Sequence, residues 1–555
     1  MFSAILLTPF IGYLVLLAVW HILRRRLLAT VIGVDDLPRL QKTRPVEDKI
    51  DGTAVVCGGR YAHEHVLAVG LTVLRSIAGL LAARICHAHF RKVLIVEPEV
   101  WVATEDARTV NGWNGGEPRT RVMQWNSQHS TQPYLFSGMN HLFPKLEDEC
   151  ENAHIRIEPH NVRFHLSGRP WRVPSNLLKS LYVTRSALEK LIRRLVLDKD
   201  LYPNIETMTG TVIDIILDLA DESRIAKVAV RDEQGAIREI AAALVADCTG
   251  PARAGMKWLA RHGYEDIGRL KVSIDQKLHY STMSFRLDEK FHSRLPLPEE
   301  QKRARSIYAC IEDANEKTTN RGKAFFVVSM KEQSTLSAFA GHYGSARAQP
   351  STVEELKAYV EDLHTVQPIP NWLLQTIDML HEIEDTALVS LVKPPPTTYV
   401  RYHLANILPA NFVALGDSVM TINPAFGEGC TKALRCAMAL HKVLLSRNAR
   451  KTIPESFSAD FFREQRVRTE WMWKNTRTQD YAFPTTVPIE GESLASGRFM
   501  RWYLTGLQRL ATMDAQAGTA IYDAVCGFAS PIDALHPHLL AKVLWSSVTC
   551  RKGWS

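Results

Sequence analysis

The feature that most constrains the fold lies in the first quarter of the chain, where two short apolar runs flank a pair of glycines and a helix-like segment. Residues 53–57 (TAVVC) predict a buried parallel strand, and Gly58 and Gly59 follow it directly. Residues 76–84 (SIAGLLAAR) predict the start of a helix, and residues 92–96 (KVLIV) predict a second strand that ends at an acidic residue. Strand, glycine turn, helix, strand and terminal acid is the order of a dinucleotide-binding βαβ unit.

The residues of the turn and the end of the second strand indicate how a dinucleotide would be held. Gly58 and Gly79 take the first and third glycine positions of the turn, with Ser76 in the second. Small residues let the backbone approach a pyrophosphate, and the helix N-terminus presents free N–H groups and a partial positive charge to it. Glu97 closes the second strand and would accept hydrogen bonds from the adenosine ribose hydroxyls.

Residues 60–75 (RYAHEHVLAVGLTVLR) interrupt this turn between Gly59 and Ser76. Because they would separate the phosphate-binding turn from the helix that completes it, we interpret them as a retained intron or an error in the gene model. The genetic code permits this. If Arg60 is encoded by AGG and the next residue by TAC, an intron can begin with GT, and the removal of sixteen whole codons keeps the reading frame. A genuine functional loop is the alternative.

A second set of motifs lies far along the chain. Residues 243–247 (ALVAD) predict a strand that runs into Cys-Thr-Gly, a common second contact with a dinucleotide in flavoproteins. Residues 412–415 (FVAL) predict another strand, and Asp417 follows it, where an acid can bind the ribityl hydroxyls of FAD. The stretch 423–429 (NPAFGEG) predicts a tight turn at a helix start, whose N-terminus would face the pyrimidine edge of a flavin. The candidate residues of this turn are Pro424, Gly427 and Gly429.

Taken together, these motifs resemble those of one enzyme family. Residues 52 to about 550 are similar to FAD-dependent monooxygenases of the para-hydroxybenzoate hydroxylase fold, most of all to a subgroup that includes polyether-pathway polyene epoxidases, with squalene epoxidase as a more distant relative. The matching segments are GGSIAGLLAAR (split by the insert), VLIVE, DCTGPAR and GDSVMTINPAFGEG. A further segment keeps Arg119, Gln124 and His129 of a subgroup motif but loses its Gly, its Pro and one His. Arg185 matches the arginine that heads a helix near the flavin in this family.

The resemblance implies an α/β fold with a Rossmann-like FAD-binding domain, a β-sheet substrate domain and a helical C-terminal region. We add an N-terminal transmembrane helix, because residues 4–23 contain no Asp, Glu, Lys or Arg and would span about 30 Å as a helix. The expected boundaries are 1–26 for this anchor, 27–51 for a linker, 52–262 and 398–447 for the FAD domain, 263–397 for the substrate-binding sheet domain and 448–555 for the C-terminal region.

The arginines at positions 24–26 follow the apolar run and predict that the catalytic part faces the cytosol. We therefore expect a single-pass protein of the endoplasmic reticulum membrane. The net charge of +8 forms no long basic run, so we predict no nucleic-acid partner. The nine cysteines include no CxxC pair and no Cys/His cluster at metal spacing, which predicts neither a metal site nor a disulfide framework.

The resemblance implies an FAD-dependent monooxygenase that takes electrons from NAD(P)H and uses O₂. Its expected reaction is the epoxidation or hydroxylation of a lipophilic polyketide or terpenoid in fungal secondary metabolism. An oxidative rearrangement is expected as a following step. We assign no catalytic acid or base, because the cofactor carries the chemistry. Two alternatives stay open: a flavin oxidoreductase that transfers hydride without inserting oxygen, and a non-enzymatic relic that cannot hold FAD because of residues 60–75.

Overall fold

A computed structural model describes residues 2–58, 77–110, 124–446 and 451–549 of the chain. The helices carry the labels α1 to α16 in chain order. They are α1 (Phe2–Leu27), α2 (Ile77–His87), α3 (Pro133–Leu142), α4 (Leu146–Asn152), α5 (Arg185–Val196), α6 (Ala254–Arg261), α7 (Glu289–Arg294), α8 (Glu299–Lys302), α9 (Glu316–Arg321), α10 (Val353–Glu361), α11 (Asn371–Met379), α12 (Gly429–Leu444), α13 (Phe457–Asp480), α14 (Arg498–Leu510), α15 (Ala515–Cys526) and α16 (Pro537–Thr549).

A five-stranded parallel sheet lies at the centre of the first unit. Its strands, in spatial order, are β19 (Phe412–Ala414), β11 (Leu244–Asp247), β1 (Ile50–Cys57), β2 (Phe90–Glu97) and β7 (Ile205–Thr209). The apolar residues of β1 and β2 are buried on both faces, which is the pattern of a parallel strand covered by helices. Helix α2 packs on β1 and β2 and contacts α12, so the predicted βαβ order is confirmed.

A seven-stranded sheet forms the second unit, and its neighbouring strands are antiparallel except for β4 and β14. Its strands, in spatial order, are β17 (Leu388–Val392), β13 (Leu278–Arg286), β16 (Thr335–Tyr343), β15 (Ala324–Met330), β14 (Ser306–Ile311), β4 (Phe164–Leu166) and β5 (Arg169–Pro170). Helices α7, α10 and α11 cover one face through an apolar core. The opposite face, here called the inner face, lies against the 423–429 turn and the segment after α13.

Three small antiparallel groups complete the strands. They are β8 (Thr211–Leu217) with β9 (Ile225–Arg231) and β10 (Ile237–Ala241), β3 (Arg156–Pro159) with β6 (Lys179–Tyr182), and β12 (Lys271–Ile274) with β18 (Thr397–Val400). The molecule is therefore the mixed α/β fold that the sequence predicts.

The N-terminal helix α1 ends against the C-terminal helices. Trp20 Nε1 donates to the carbonyl oxygen of Ile532 at 3.0 Å, and the Arg24 guanidinium pairs with Asp533 at 2.9 Å. Among the helices that the structure describes, none combines the length and the hydropathy that crossing a bilayer requires. The transmembrane helix predicted over 1–26 is thus not supported, and the end of the apolar run is held against the folded chain instead.

Residues 28–48, which lie in the expected linker, form a packed segment that we call the N-terminal strap. The fully buried Arg435 of α12 donates to the carbonyl oxygen of Ile32 at 3.1 Å. The equally buried Arg468 of α13 pairs with Asp36 of the strap. A charged side chain without exposure needs such partners, so the strap is part of the core around α12 and α13. The domain boundaries themselves stay predictions.

Candidate functional site

Gly58 and Glu97 meet at the carboxyl edge of the parallel sheet. The Gly58 N–H donates to the carbonyl oxygen of Val96 at 2.9 Å, which brings the turn after β1 against the end of β2. A Cβ at Gly58 would lie 3.0 Å from Cγ of Glu97, tighter than ordinary contacts. The absence of a side chain at Gly58 therefore lets the end of β1 and the acid at the end of β2 lie together at this edge, while the role of Gly58 at a pyrophosphate stays a prediction.

The Glu97 carboxylate is held by an arginine that sequence reasoning missed. Arg193 of α5 donates to both carboxylate oxygens, at 2.8 and 3.3 Å, and is 1% exposed. Arg193 also pairs with Glu189 at 3.4 Å, and Glu189 pairs with Arg185 at 3.0 Å. Spacing at i, i+4 and i+8 puts these three charges on one face of α5, and the alternation of their signs was the available signal. We call Arg185, Glu189, Arg193 and Glu97 the charge ladder.

Asp247 has a structural role rather than a free carboxylate at the edge. Its two oxygens accept hydrogen bonds from the Thr249 N–H at 2.9 Å, the Gly255 N–H at 2.9 Å and the Ser418 hydroxyl at 3.1 Å. Burial raises the pKa of Asp247, and these hydrogen bonds act against that rise. Asp247 thereby ties the end of β11 to the segment that carries Asp417.

Asp417 follows β19 at the same edge of the sheet. Its carboxylate pairs with the Lys432 ammonium of α12, which also donates to the carbonyl oxygen of Met420. The Asp417 side chain is 28% exposed whereas Lys432 is 1% exposed, so the acid faces open space and the lysine does not. Sequence reasoning found Asp417 but missed Lys432.

The 423–429 turn leads into α12 as predicted. The Asn423 side chain accepts a hydrogen bond from the Ala425 N–H at 2.9 Å, and Gly427 has a φ of +66°, a conformation that favours glycine. Pro424 occupies the first turn position after Asn423. A Cβ at Gly429 would meet no atom of the other described segments within 4 Å, so none of these segments fills the space beside the first residue of α12.

Two buried polar atoms at the same helix start lack hydrogen-bond partners among the described residues. Glu428 Oε2 and Thr431 Oγ1 are buried and have no partner among the atoms that the structure describes. Burial raises the pKa of Glu428 to about 7. Buried polar atoms are nearly always satisfied in folded proteins, so these atoms and the open space fit a polar ligand at the N-terminus of α12.

Two further side chains join this region. His129 Nε2 lies 3.3 Å from the sulfur of Cys430, the second residue of α12. Burial, and then the positive charges of Arg185 and Lys331, lower the pKa of His129 to about 3, so the ring is neutral. Since Arg185 acts on His129, the charge ladder runs from Glu97 at one end of the edge to the start of α12 at the other.

The Asn423 amide also bonds residues of the seven-stranded sheet and of the C-terminal region. It donates to Asp480 at 2.6 Å and to the Tyr343 hydroxyl at 3.0 Å. Asp480 is fully buried at the end of α13, and burial raises its pKa to about 8. The ring of Tyr343 stacks on Phe483 with centroids 3.9 Å apart. One amide therefore joins the turn, the seven-stranded sheet and the C-terminal region, a link that sequence reasoning missed.

The predicted residues Gly58, Gly79, Glu97, Arg185, Asp417, Pro424, Gly427 and Gly429 all lie in the elements that surround this edge, with Gly79 in the first turn of α2. Gly59, Ser76, Arg119 and the insert 60–75 lie outside the described residues. In the described ranges, no group of three or more His, Cys, Asp or Glu side chains is arranged to hold a metal ion.

These contacts connect the two ends of the carboxyl edge of the parallel sheet. Cys57 pairs with Val96 on one side and with Asp247 on the other, and Asp247 bonds Ser418 beside Asp417. A flavin adenine dinucleotide fits this donor set: a carboxylate near the glycine turn, a second carboxylate after β19, and an open helix N-terminus with unsatisfied polar atoms.

No family model matches the chain. It is 23% identical to protein Rv3254 of Mycobacterium tuberculosis over 442 residues, which is 76% of this chain and 81% of that protein. Its structure resembles that of the flavin-dependent brominase Bmp2, with a TM-score of 0.51, 12% identity and coverage of 90% of this chain and 100% of the other. It also resembles a flavoprotein/dehydrogenase from Cytophaga hutchinsonii, with a TM-score of 0.52 and the same identity and coverage. The chain therefore has the fold of these flavoproteins.

Proposed function

We propose that the protein is an FAD-dependent monooxygenase that uses NAD(P)H and O₂ to epoxidise or hydroxylate a lipophilic polyketide or terpenoid. The observation that carries this proposal is the continuous set of contacts from Gly58 and Glu97, through Asp247, to Asp417 and the start of α12. Its far end opens toward the inner face of the seven-stranded sheet. The flavoprotein fold of both structural relatives supports the same cofactor.

Bound FAD would supply the redox chemistry, taking electrons from NAD(P)H and passing them to O₂. Glu97, fixed by Arg193, would bind the ribose hydroxyls of the adenosine end, and the turn at Gly58 would face the pyrophosphate. Asp417 would bind the ribityl hydroxyls, and the N-terminus of α12 would stabilise negative charge on the pyrimidine edge.

The chain's remaining task is to orient the substrate and exclude water. The inner face of the seven-stranded sheet carries an aromatic cluster with Tyr280, Phe325 and Tyr343, and Ala425 of the 423–429 turn packs against it. An apolar wall beside the open start of α12 suits a lipophilic substrate.

Isotope labelling tests the reaction class. Enzyme supplied with NADPH and ¹⁸O₂ should place one ¹⁸O atom in the product. The competing reading is hydride transfer without oxygen insertion, which gains some support because one structural relative is described as a dehydrogenase. An oxidised or reduced product that carries no ¹⁸O would favour that reading.

Visible absorbance tests the cofactor. Purified protein should show bound flavin, and titration with NADH and NADPH should bleach it and identify the reductant. If only a chain without residues 60–75 binds flavin, the insert is foreign to the functional protein. If neither form does, the protein is the non-enzymatic relic.

The wider biological setting is also part of the proposal. A fungal origin, a kinship with polyene epoxidases or squalene epoxidase, and a site at the endoplasmic reticulum with the catalytic part in the cytosol are predictions from the sequence alone. Fractionation of cells that express the full chain tests the location, and product analysis in cells with the neighbouring pathway genes tests the substrate class.

A further inference from the structure

The inner face of the seven-stranded sheet changes in polarity along its strands. Strands β13, β16 and β15 pair so that their inner side chains form three cross-strand rows. In order, these rows are Tyr280–Gly341–Phe325, Thr282–Phe339–Val327 and Ser284–Ser337–Ser329. The first row is aromatic, the second is mixed, and the third consists of three hydroxyl groups.

The aromatic end is a continuous wall. The ring of Phe339 lies 5.2 Å from that of Tyr280 and 5.5 Å from that of Phe325, measured between centroids. A Cβ at Gly341 would overlap the Phe325 ring, so this ring covers the glycine in the middle of the first row. Phe339 keeps partial exposure, which leaves an apolar surface for a flat or extended molecule.

Residues 124–132, which we call the covering loop, lie over the same rows. The Gln124 amide donates to the Tyr280 hydroxyl at 2.7 Å. The Gln128 backbone N–H donates to the Thr282 hydroxyl at 2.9 Å, and its side-chain amide bonds the Ser329 hydroxyl at 2.9 Å. Gln128 therefore reaches across β16 at the polar end, and one end of its amide is engaged there.

The unsatisfied groups at the polar end are neutral. The second amide atom of Gln128 and Thr335 Oγ1 are buried without a partner in the part of the chain that the structure describes. The charged groups nearby are already engaged: Lys331 donates to the carbonyl oxygen of His129 at 2.7 Å, and Glu332 accepts from Thr184. A neutral group that can both donate and accept matches what remains, and a hydroxyl is the simplest such group.

We propose that the inner face beside the covering loop binds an extended, neutral molecule whose apolar body lies on Phe339 and the neighbouring Phe325 and whose hydroxyl bonds Gln128. Gln128 is then the specificity-determining residue. This inference rests on the proposed function, because it places the enzyme's substrate on this face. A site with buried polar atoms discriminates strongly against an analogue that lacks the matching group, since those atoms are left unpaired.

The test compares three probes of one shape: 2-naphthol, naphthalene and 2-naphthoate. Titration calorimetry of the full chain, in buffer that contains excess FAD, should give 2-naphthol about ten-fold tighter binding than naphthalene, which corresponds to one hydrogen bond of about 1.4 kcal/mol. Naphthoate should bind more weakly than 2-naphthol. Gln128→Leu should bring the affinities for 2-naphthol and naphthalene to the same value without loss of FAD. Phe339→Ala should weaken all three probes.

Gln234→Leu, in the exposed turn between β9 and β10, is the matched control and should behave as the parent chain. A preference for 2-naphthol that persists in Gln128→Leu, tighter binding of naphthoate than of 2-naphthol, or no binding of any probe overturns the inference. Loss of FAD from Gln128→Leu also overturns it, because the unsatisfied atoms then belong to the cofactor. Failure of the proposed function is seen separately, as absent flavin absorbance or absent ¹⁸O in the parent chain, while the probe preference is still measured on the same protein.

Discussion

Glu97 and Asp417 are the two acids expected to hold the cofactor, and each already has a cation from a helix beside it. Arg193 contacts Glu97 from 96 positions away, and Lys432 contacts Asp417 from α12. A buried or half-buried carboxylate that is paired in this way is held in one orientation before any ligand arrives. The acids were visible in the sequence as strand-end residues, but their partners come from helices and are set by packing.

Glu97→Gln should weaken FAD binding about ten-fold, because a neutral amide is a poorer acceptor for ribose hydroxyls than a carboxylate. Equilibrium dialysis of the apoprotein with FAD measures this change. The control is Glu206→Gln on the neighbouring strand β7, where the exposed carboxylate only pairs with Lys92. Equal losses in both variants would mean that Glu97 does not contact the cofactor.

Asp480→Asn should make the protein more stable, and the gain should grow with pH. The pKa of Asp480 is about 8 in the folded chain, against an ordinary value near 4, so the folded state keeps a proton that the unfolded state has lost. The free energy of unfolding of the parent chain therefore falls between about pH 4 and pH 8 and then levels off. The asparagine side chain keeps an oxygen that accepts the hydrogen bond from Asn423. Because it does not titrate, the pH-dependent fall in the free energy of unfolding disappears.

Thermal unfolding at pH 5, 6.5 and 8 measures the effect of Asp480→Asn. The difference in Tm from the parent chain should rise across this series. A difference that stays constant with pH would show that Asp480 does not hold its proton in the folded protein.

The start of α12 is the element on which the cofactor site depends most. The 423–429 turn gives Gly427 a left-handed conformation, Asn423 caps the turn, and Gly429 opens the helix into free space. The NPAFGEG sequence predicted the turn, because Asn, Pro and Gly each favour the backbone conformations of tight turns. It could not predict the second half of the Asn423 network, since Tyr343 and Asp480 come from other units.

Gly429→Ala should lower FAD affinity about ten-fold or more while leaving the fold intact. A methyl group there meets no atom of the other described segments within 4 Å and alanine favours a helix, so the free energy of unfolding should not decrease. The same methyl occupies the space where the cofactor approaches the helix N-terminus.

Gly235→Ala is the matched contrast for this variant. Gly235 has a φ of +84° in an exposed turn, so alanine should cost about 1 kcal/mol of stability through backbone strain and leave FAD binding unchanged. Denaturant unfolding and flavin titration of both variants should therefore give opposite patterns. Unchanged FAD affinity in Gly429→Ala would remove α12 from the cofactor site.

At the scale of the whole molecule, the N-terminal strap ties the start of the chain to α12 and α13. Asp36 pairs with the fully buried Arg468, and Ile32 accepts from the fully buried Arg435. These contacts join residues 28–48 to α13 and to α12, whose N-terminus belongs to the proposed cofactor site. Helix α1, by contrast, contacts the C-terminal region through the partly exposed Arg24 and through Trp20.

Removal of residues 1–27 should therefore leave a folded chain that binds FAD, whereas removal of residues 1–42 should not. The longer truncation removes Asp36 and the Ile32 carbonyl oxygen. Among the described residues, Arg468 then keeps only Glu464 as an ion-pair partner, and Arg435 keeps only the Gly527 carbonyl oxygen as a hydrogen-bond acceptor. Breaking a buried ion pair by removal of one partner costs about 3–5 kcal/mol. Circular dichroism and flavin absorbance of the two truncations measure the outcome. Equal stability of the two would show that the strap is dispensable.

Local sequence patterns were enough to predict the parallel strands β1 and β2, the positions of Glu97 and Asp417 at the ends of strands and the turn that leads into α12. Each of these is encoded locally, in a run of apolar residues or in a few residues whose backbone preferences allow little else. Which side chains contact those residues depends on the tertiary structure. Arg193, Lys432, Asp480 and Gln128 lie in ordinary-looking segments, and their roles depend on contacts between positions that only folding brings together. The contacts of the N-terminal helix also depend on the fold. Local hydropathy predicted a membrane anchor there, and in the structure Arg24 near the end of α1 pairs with Asp533.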